Sequence, residues 1–554
     1  MRKMVSLLMS VAVIAFGYPL AAMSAHGVHF AYWPHEVENP EQWYAKILQS
    51  FGLHLLETYG LMGTGQSPAF VGGGFTELVW IFGPALLLSI LLTSGKSLGP
   101  RRALTPIYGD ARFATASERR RMKAGIEIGI DPDTGRTVRV AVQGNLMSVA
   151  PPGSGKSSGL LLPNLAAPEA SAWFGPAVII DPKGDAYRAV SERRRALGRL
   201  VYCLDPMAIA GGEDRWNPFD TLDPNNIIQL QATAAALLPA AGANENKYFR
   251  EAANAIIVAA FLAVHREVTP SPSRVAELLA DQTAFAAALK GIDAVAARST
   301  LALIENPPRN LMDLFSTAQQ ALRWCEDPRL ATMTSDSTVQ LATICRGDAD
   351  LFLTLPTETM ERLAPLIRWL LNELFTTVRR NKPRERLLIF VDEAKVLGPS
   401  AEIATAYGEL PSYNCSLWTY WQSRSQVVET YGEHGAASLI ANSEIVTFSD
   451  PPRADPDTLD HWSRALGDFT MVEETRTVTE ATKDKAGSVS TGTTMKAVPL
   501  MSRDTLGSLP ATNLIAIVNG QRHVRHPLLL RKTRYDDPRL RGLVTDLGGR
   551  VDAG

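Results

Sequence analysis

Cysteine is scarce in this chain: four among 554 residues, at Cys203, Cys325, Cys345 and Cys415. Positions so far apart carry no metal-type spacing, and so few of them in so long a chain read as free buried thiols in a reducing compartment. An excess of either charge is missing as well. Lys and Arg number 55 against 57 Asp and Glu, and the resulting net −2 excludes a uniformly basic coat for nucleic acid. Basic residues gather only locally, at Arg101-Arg102, Arg119-Arg120-Arg121, Arg193-Arg194-Arg195 and Arg379-Arg380 with Lys382, Arg384 and Arg386. Each cluster reads as a solvated helix end. His26, His29, His35 and His54 share one stretch, but their irregular spacing reads as solvated or capping histidines rather than a metal set.

Long apolar runs, by contrast, are present near the start. Met4 to Met23 is long enough to cross a bilayer, and Leu78 to Ser94, extended by Phe75, is a shorter second candidate. Gly83-Pro84 inside the second is tolerated in a membrane helix. Arg2 and Lys3 precede the first run, while Lys96, Arg101 and Arg102 follow the second. Lys46 is the only Lys or Arg between them. The positive-inside rule then places both ends in the cytoplasm and the intervening loop outside. A cleaved signal peptide ending near Met23-Ser24-Ala25 is the rival reading of the first run, and it leaves everything after Lys96 in the cytoplasm all the same. Residues 1–104 are therefore expected to be a membrane anchor, with spans at about 4–23 and 75–94. In the loop between them, Asn39-Pro40-Glu41 opens a helix whose stripe is Trp43, Ile47, Leu48, Phe51 and Leu55.

The most informative stretch is Ala150-Pro151-Pro152-Gly153-Ser154-Gly155-Lys156-Ser157. It follows the apolar strand Leu146 to Val149 and opens into a helix from Ser158, which is the context a phosphate-binding loop requires. Backbone N–H groups around Gly153 and Gly155 can wrap a triphosphate because no Cβ blocks the approach. The helix start adds partial positive charge. Pro152, Gly153, Ser154, Gly155, Lys156, Ser157 and Ser158 are thus the expected nucleotide contacts, with Lys156 on the β/γ-phosphates and Ser157 on Mg²⁺. The expected ligands are a nucleoside triphosphate and Mg²⁺. Ala150 stands where a glycine is usual.

From Leu146 onward strands and helices alternate, the pattern of parallel βα units with their active edge at strand C-termini. Ala177 to Ile180 ends at Asp181-Pro182-Lys183-Gly184-Asp185, a polar helix runs through Arg195, and Leu200 to Leu204 is the next strand. Tyr248 to Trp324 reads as helix after helix, with a capped start at Ser273 and Glu277 in its first turn. The sheet resumes at Leu351 to Leu355, and Leu363 through Val378 forms a clean helical stripe despite Pro365. Leu387 to Val391 is a buried-type strand ending in Asp392-Glu393. Asp392 is expected to hold Mg²⁺ through water, and Glu393 to act as general base on the attacking water. Gln422, at the end of strand Ser416 to Trp421, is a candidate γ-phosphate sensor, with a polar strand cap as the alternative. Asp181 and Lys183 face either the nucleotide or a partner subunit. Arg424 and Arg368 are candidate arginine fingers, with nothing to choose between them. Glu473 to Lys496, rich in Thr, Ser, Lys and Glu, is expected to be a mobile loop or a disordered insertion, and the residues from about Asp537 a polar tail.

Several of these pieces, in this order, resemble the type IV secretion coupling proteins, the TraG-like conjugative ATPases. They are Tyr108-Gly109-Asp110-Ala111-Arg112-Phe113-Ala114, the phosphate loop, Ile180-Asp181-Pro182-Lys183-Gly184-Asp185 and Arg215-Trp216-Asn217-Pro218-Phe219. They continue with Val391-Asp392-Glu393, Gln422 and Gln426 before Tyr431-Gly432, Ser463 to Asp468, and the Leu509-Pro510 region. The resemblance covers about Pro106 to Tyr535 and departs from the usual pattern at Ala150 and at Asp185, where glutamate is commoner. It implies a RecA-like α/β phosphate-loop domain over 105–265 and 345–540, an all-α insertion at 266–344 and a polar tail at 541–554. It further implies a hexameric ring, multi-pass in the bacterial inner membrane with its bulk in the cytoplasm. Such a ring recruits a relaxase–DNA complex or protein effectors and feeds them to type IV channel proteins by ATP hydrolysis. Single-stranded DNA would be held through its backbone charge, without sequence specificity. Two other readings compete: a nucleotide-gated substrate receptor with little hydrolysis, and a chromosome-type DNA pump.

Overall fold

The computed structural model describes residues 101–239, 247–479, 488–520, 524–534 and 536–545. Both apolar runs, the loop between them and the last residues of the chain lie outside this set. Among the described residues no helix is long and apolar enough to cross a membrane.

The strands, in chain order, are β1 (Arg101–Arg102), β2 (Ile126–Ile130), β3 (Thr137–Val140), β4 (Asn145–Val149), β5 (Ala177–Ile180), β6 (Leu200–Leu204) and β7 (Ala349–Leu353). They continue with β8 (Leu387–Val391), β9 (Cys415–Trp421), β10 (Ser443–Phe448), β11 (Asp468–Thr479), β12 (Ser488–Pro499), β13 (Asn513–Val518) and β14 (Leu528–Arg531). Packing divides the chain into two units. The small one holds, among the described residues, β1 and the segment Met471–Lys496; the large one covers Leu104–Thr470 and the chain from Ala497. In the small unit β1 pairs antiparallel with β11, Arg101 against Val472, and β12 is the third strand. The segment 473–496, expected as a loop, therefore contributes two strands. Its Thr and Val residues are β-branched and suit a pleated ribbon, a preference that polar composition alone conceals.

In the large unit eleven strands form one sheet in the order β3-β2-β14-β13-β10-β4-β9-β8-β5-β7-β6. The run from β10 to β6 is parallel throughout. At its other flank β13, β14, β2 and β3 add in antiparallel fashion. Strands β4, β5, β7, β8 and β9 are buried along their whole length, as strands covered by helices on both faces must be. The register aligns their ends: Val149 lies opposite Trp421, Val391 opposite Thr419 and opposite Ile180. All the turns that follow these strands consequently open on one edge.

Between β6 and β7 the chain runs through helices from Ile227 to Arg346. The helix Lys247–Val264 packs against Val295–Glu305 and Leu311–Gln320, with Ile256, Ile257, Ala259, Ala260 and Phe261 fully enclosed. One helix of this run starts two residues earlier than expected. Ser271, not Ser273, is its cap, accepting the Arg274 N–H, and Pro272 takes the first helical position. Asn217 ties the chain where it leaves and re-enters the sheet. Its Nδ2 donates to the Pro270 carbonyl at 2.8 Å and to that of Ser335 at 3.2 Å, while its Oδ1 accepts the Phe219 N–H at 3.0 Å. That use of both ends of an amide, beside the buried Trp216, gives the Trp-Asn-Pro string a structural reason.

The basic clusters are not simple solvated ends. Arg194 is fully buried on Asp350, Arg119 is buried on Asp131, and Arg193 donates to the carbonyls of Ala166 and Ala167. Nor does the tail begin at Asp537: Leu540 is buried and Arg539 bridges to Glu127.

Candidate functional site

The site grows from the end of β4. Ala150 continues the ladder, its N–H donating to the Trp421 carbonyl at 2.9 Å. Ala150 is not among the residues with positive φ, so a methyl group is accepted there without backbone strain. Gly153 and Gly155 differ: with φ of 73° and 77° they occupy the left-handed region, where a side chain would be strained. The first turn of the following helix is π-helical over Ser157–Leu161, the Leu162 N–H reaching back to the Ser157 carbonyl. Ser158 is buried, with its hydroxyl on the Gly155 carbonyl at 3.3 Å. Pro152 and Gly153 are exposed; Ser154, Gly155, Lys156 and Ser157 are half-buried.

Lys156 folds back on its own loop, Nζ donating to the Ala150 carbonyl at 2.5 Å and to that of Pro151 at 3.4 Å. Burial pushes its pKa below the ordinary lysine value, a push that Asp392 and Glu393 oppose. The Ser157 hydroxyl lies 3.2 Å from Asp392 Oδ2 at the end of β8. Asp392 keeps a solvent-facing edge but is set deeply enough that burial raises its pKa, with Lys156 pulling the other way. Its neighbour Glu393 adopts φ 62° and ψ 55°, a left-handed conformation costing a non-glycine residue about 1–3 kcal/mol. That twist turns its carboxylate toward β9, where Gln422 Nε2 donates to both oxygens at 2.9 and 3.0 Å.

Lys156, Ser157, Asp392, Glu393 and Gln422 thus meet at the ends of three adjacent strands, β4, β9 and β8. Asp181, at the end of β5, completes the row. It accepts the N–H groups of Lys183 at 3.2 Å and Ala186 at 2.7 Å, and burial, reinforced by Asp392, pushes its pKa up to about 7. Lys183 itself is exposed.

Neither arginine finger candidate is free. Arg368 is buried within the large unit, donating to the carbonyls of Ala236, Leu237 and Leu397, and burial lowers its pKa to about 10. It closes the C-terminal end of the helix Ile227–Leu237. Arg424 pairs with Glu433 at 2.6 Å.

Sequence reasoning passed over the C-terminal segment that lies along the phosphate loop. Lys532 Nζ donates to the Ser154 carbonyl at 2.8 Å and pairs with Asp450. The Thr533 carbonyl lies 2.8 Å from where a Cβ on Gly159 would sit, so only glycine fits at that point of the helix. Nothing in Arg531-Lys532-Thr533 as a string marks it, since its partners lie 82 residues away at Asp450 and 378 away at Ser154.

A phosphate loop and an acidic strand separated by one intervening strand, all on the C-terminal edge of a mixed sheet, define a RecA-like α/β fold of the phosphate-loop class. Residues 109–541 match the family model for type IV secretory system conjugative DNA transfer, and the chain belongs to that family. Among curated relatives, the protein VirD4 of Rhizobium radiobacter is 25% identical over 408 residues, 71% of this chain and 57% of its own length. A conjugal transfer protein TraG of Agrobacterium fabrum is 24% identical over 451 residues, 74% of this chain and 67% of its own. The chain spans 57% and 59% of the length of the first two curated relatives. The unbound conjugative coupling protein TrwB superposes with a TM-score of 0.59 at 19% identity, over 79% of this chain and 96% of that one. TrwB in complex with ADP and Mg²⁺ gives 0.58 at 19%, over 79% and 95%.

Proposed function

We propose that this chain is the ATP-driven coupling protein of a type IV secretion or conjugation system. In this reading it sits in the bacterial inner membrane as a multi-pass homo-oligomer, a hexameric ring. It collects relaxase-bound single-stranded DNA, protein effectors or both, and passes them to the channel proteins. One observation carries the proposal: five side chains suited to a metal–triphosphate converge from the ends of three neighbouring strands. Family membership and the names of the relatives supply the biological setting.

The residues fit the ligands. Gly153 and Gly155 leave the loop backbone open to phosphate oxygens. Lys156 rests on two carbonyls of its own loop, bonds it exchanges readily for the stronger ones to a phosphate. A serine hydroxyl beside a carboxylate is the hard-oxygen pair that Mg²⁺ takes, the other positions falling to water and phosphate. The ion when bound supplies neutralising charge on the phosphates. Glu393 stands one residue beyond that pair, oriented by Gln422 so that its carboxylate can take a proton from a water at the γ-phosphate. The helices of 266–344 form the all-α domain, and 105–265 with 345–540 the motor domain. A neighbouring protomer, a copy of the same chain, would complete the site with an arginine other than Arg368, whose guanidinium is taken up by three main-chain carbonyls.

The test is the purified full-length chain. Lys156→Ala is expected to lower ATP turnover by at least about a hundredfold and abolish transfer in mating assays, with the protein folded and membrane-bound. Wild-type turnover in that variant would overturn the assigned site.

A further inference from the structure

The phosphate loop has a second lysine, and no motif contains it. Lys532 follows β14, its N–H held by the Thr512 carbonyl at 2.8 Å. Its side chain is largely enclosed, and the ammonium contacts the Ser154 carbonyl at 2.8 Å and the Asp450 carboxylate. Asp450 lies just past β10 and is itself anchored beside the loop. The preceding Ser449 donates its N–H to the Val149 carbonyl at 3.2 Å, and Asp450 takes a left-handed φ of 48°. Lys532, Ser154, Gly155, Lys156 and Ser449 line the same small cavity beneath the loop. The Ser154 hydroxyl, by contrast, is buried there without a partner, so the loop is gripped at this residue through its main chain.

That grip has a consequence for phosphate binding. In a trans peptide the C=O of one residue and the N–H of the next point in opposite directions. Pinning the Ser154 carbonyl on Lys532 therefore fixes the Gly155 N–H pointing away from Lys532. A glycine-rich loop with nothing to hold it would rotate these peptide planes at little cost. An ammonium, with several donors on one centre, can hold a carbonyl and a carboxylate together.

We infer that Lys532 and Asp450 form a latch that pre-orients the phosphate loop for its nucleotide, making Lys532 a positioning residue of the site. The inference rests on the nucleotide-binding reading above and extends it: it assigns a role to the C-terminal segment of the same chain and ties the loop to β10 and β14. Because the latch acts on loop geometry before binding, its loss should weaken affinity and leave turnover at saturation nearly untouched.

The experiment uses the full-length chain with Mg²⁺ and a ribose-labelled fluorescent ATP, read as an equilibrium Kd, with kcat and KM for ATP and the unfolding midpoint alongside. Lys532→Met keeps the aliphatic stem and removes the charge. It should raise Kd and KM by about tenfold, the worth of one hydrogen bond to a charged donor, with kcat within about twofold. Lys532→Arg keeps a cation that can donate to both partners and should stay within about threefold of wild type. Asp450→Asn should raise Kd by a smaller factor, and combining it with Lys532→Met should add little, because both break one latch. Wild-type Kd in folded Lys532→Met, or equal losses in the Met and Arg variants, overturns the latch. Should Lys532→Met fail to fold, an unchanged Kd in Asp450→Asn overturns it instead. Wild-type protein that binds no nucleotide overturns the site itself along with the latch, an outcome distinct from a wild type that binds and a variant that binds equally well.

Discussion

At the start of β7, Asp350 is fully enclosed and fully partnered. Arg194 donates to it from Nε at 2.6 Å and from Nη2 at 2.9 Å, and the Ala177 N–H adds a third bond at 2.8 Å. Arg194, equally buried, also holds the Gly175 carbonyl at 2.7 Å and lies over the Trp173 ring. At the far end of β8, Asp392 has one hydroxyl at 3.2 Å and the field of Lys156. Two carboxylates on one sheet are thus treated in opposite ways. The first has its charge cancelled by fixed donors and is closed. The second is left under-compensated, with its pKa raised, beside a hydroxyl and an open loop. In the proposed reading, a carboxylate short of partners at such a strand end is prepared for a cation that arrives from outside the chain. The strained Glu393 belongs to the same edge, as does Asp181.

The contrast is broken most strongly by making the same substitution at both ends. Asp350→Asn leaves Arg194 buried with its charge uncancelled and should cost about 3–5 kcal/mol in chemical unfolding. Asp392→Asn, measured without magnesium, should leave the midpoint at or above the wild-type value, because it removes a charge its surroundings disfavour. Equal losses at the two sites would erase the distinction.

A smaller effect sharpens it through pH. The Asp181 carboxyl is raised in the folded state to about 7 from 3.8. A raised carboxylate binds its proton more tightly when folded, so its contribution to stability is present below about pH 4 and is lost as pH rises through about 7. Asp181→Asn should therefore gain on wild type between pH 5 and pH 8 in metal-free thermal melts. A gap between the two proteins that stays constant over that range would contradict the assignment.

Much of this edge was legible before the fold was known, because its parts are local strings. The phosphate loop, Asp392-Glu393 and Gln422 each follow an apolar run of strand length, and a parallel sheet delivers strand ends to one place. What was not legible depends on pairings distant in sequence. Lys532 meets Ser154 across most of the chain, Arg539 meets Glu127, and neither short string differs from ordinary surface sequence. Arg194 read as one of three exposed arginines until Asp350 was placed beside it. Arg368 stood inside an apolar helical stripe, and its bonds to the Ala236, Leu237 and Leu397 carbonyls appear only once the fold brings those segments together. The strands over 473–499 were hidden by polarity, since pairing in a ribbon needs β-branched residues more than it needs a core.

In the proposed site the carboxylate of Glu393, beside Asp392, works on a nucleotide held by the Lys156 loop. Glu393→Gln tests it most directly, because the amide keeps the size and can still contact Gln422 but cannot take a proton. With the full-length protein, Mg²⁺ and ATP, the variant is expected to bind with wild-type affinity and to turn over between about a hundredfold and ten-thousandfold more slowly. Wild-type turnover by Glu393→Gln would remove Glu393 from the chemistry.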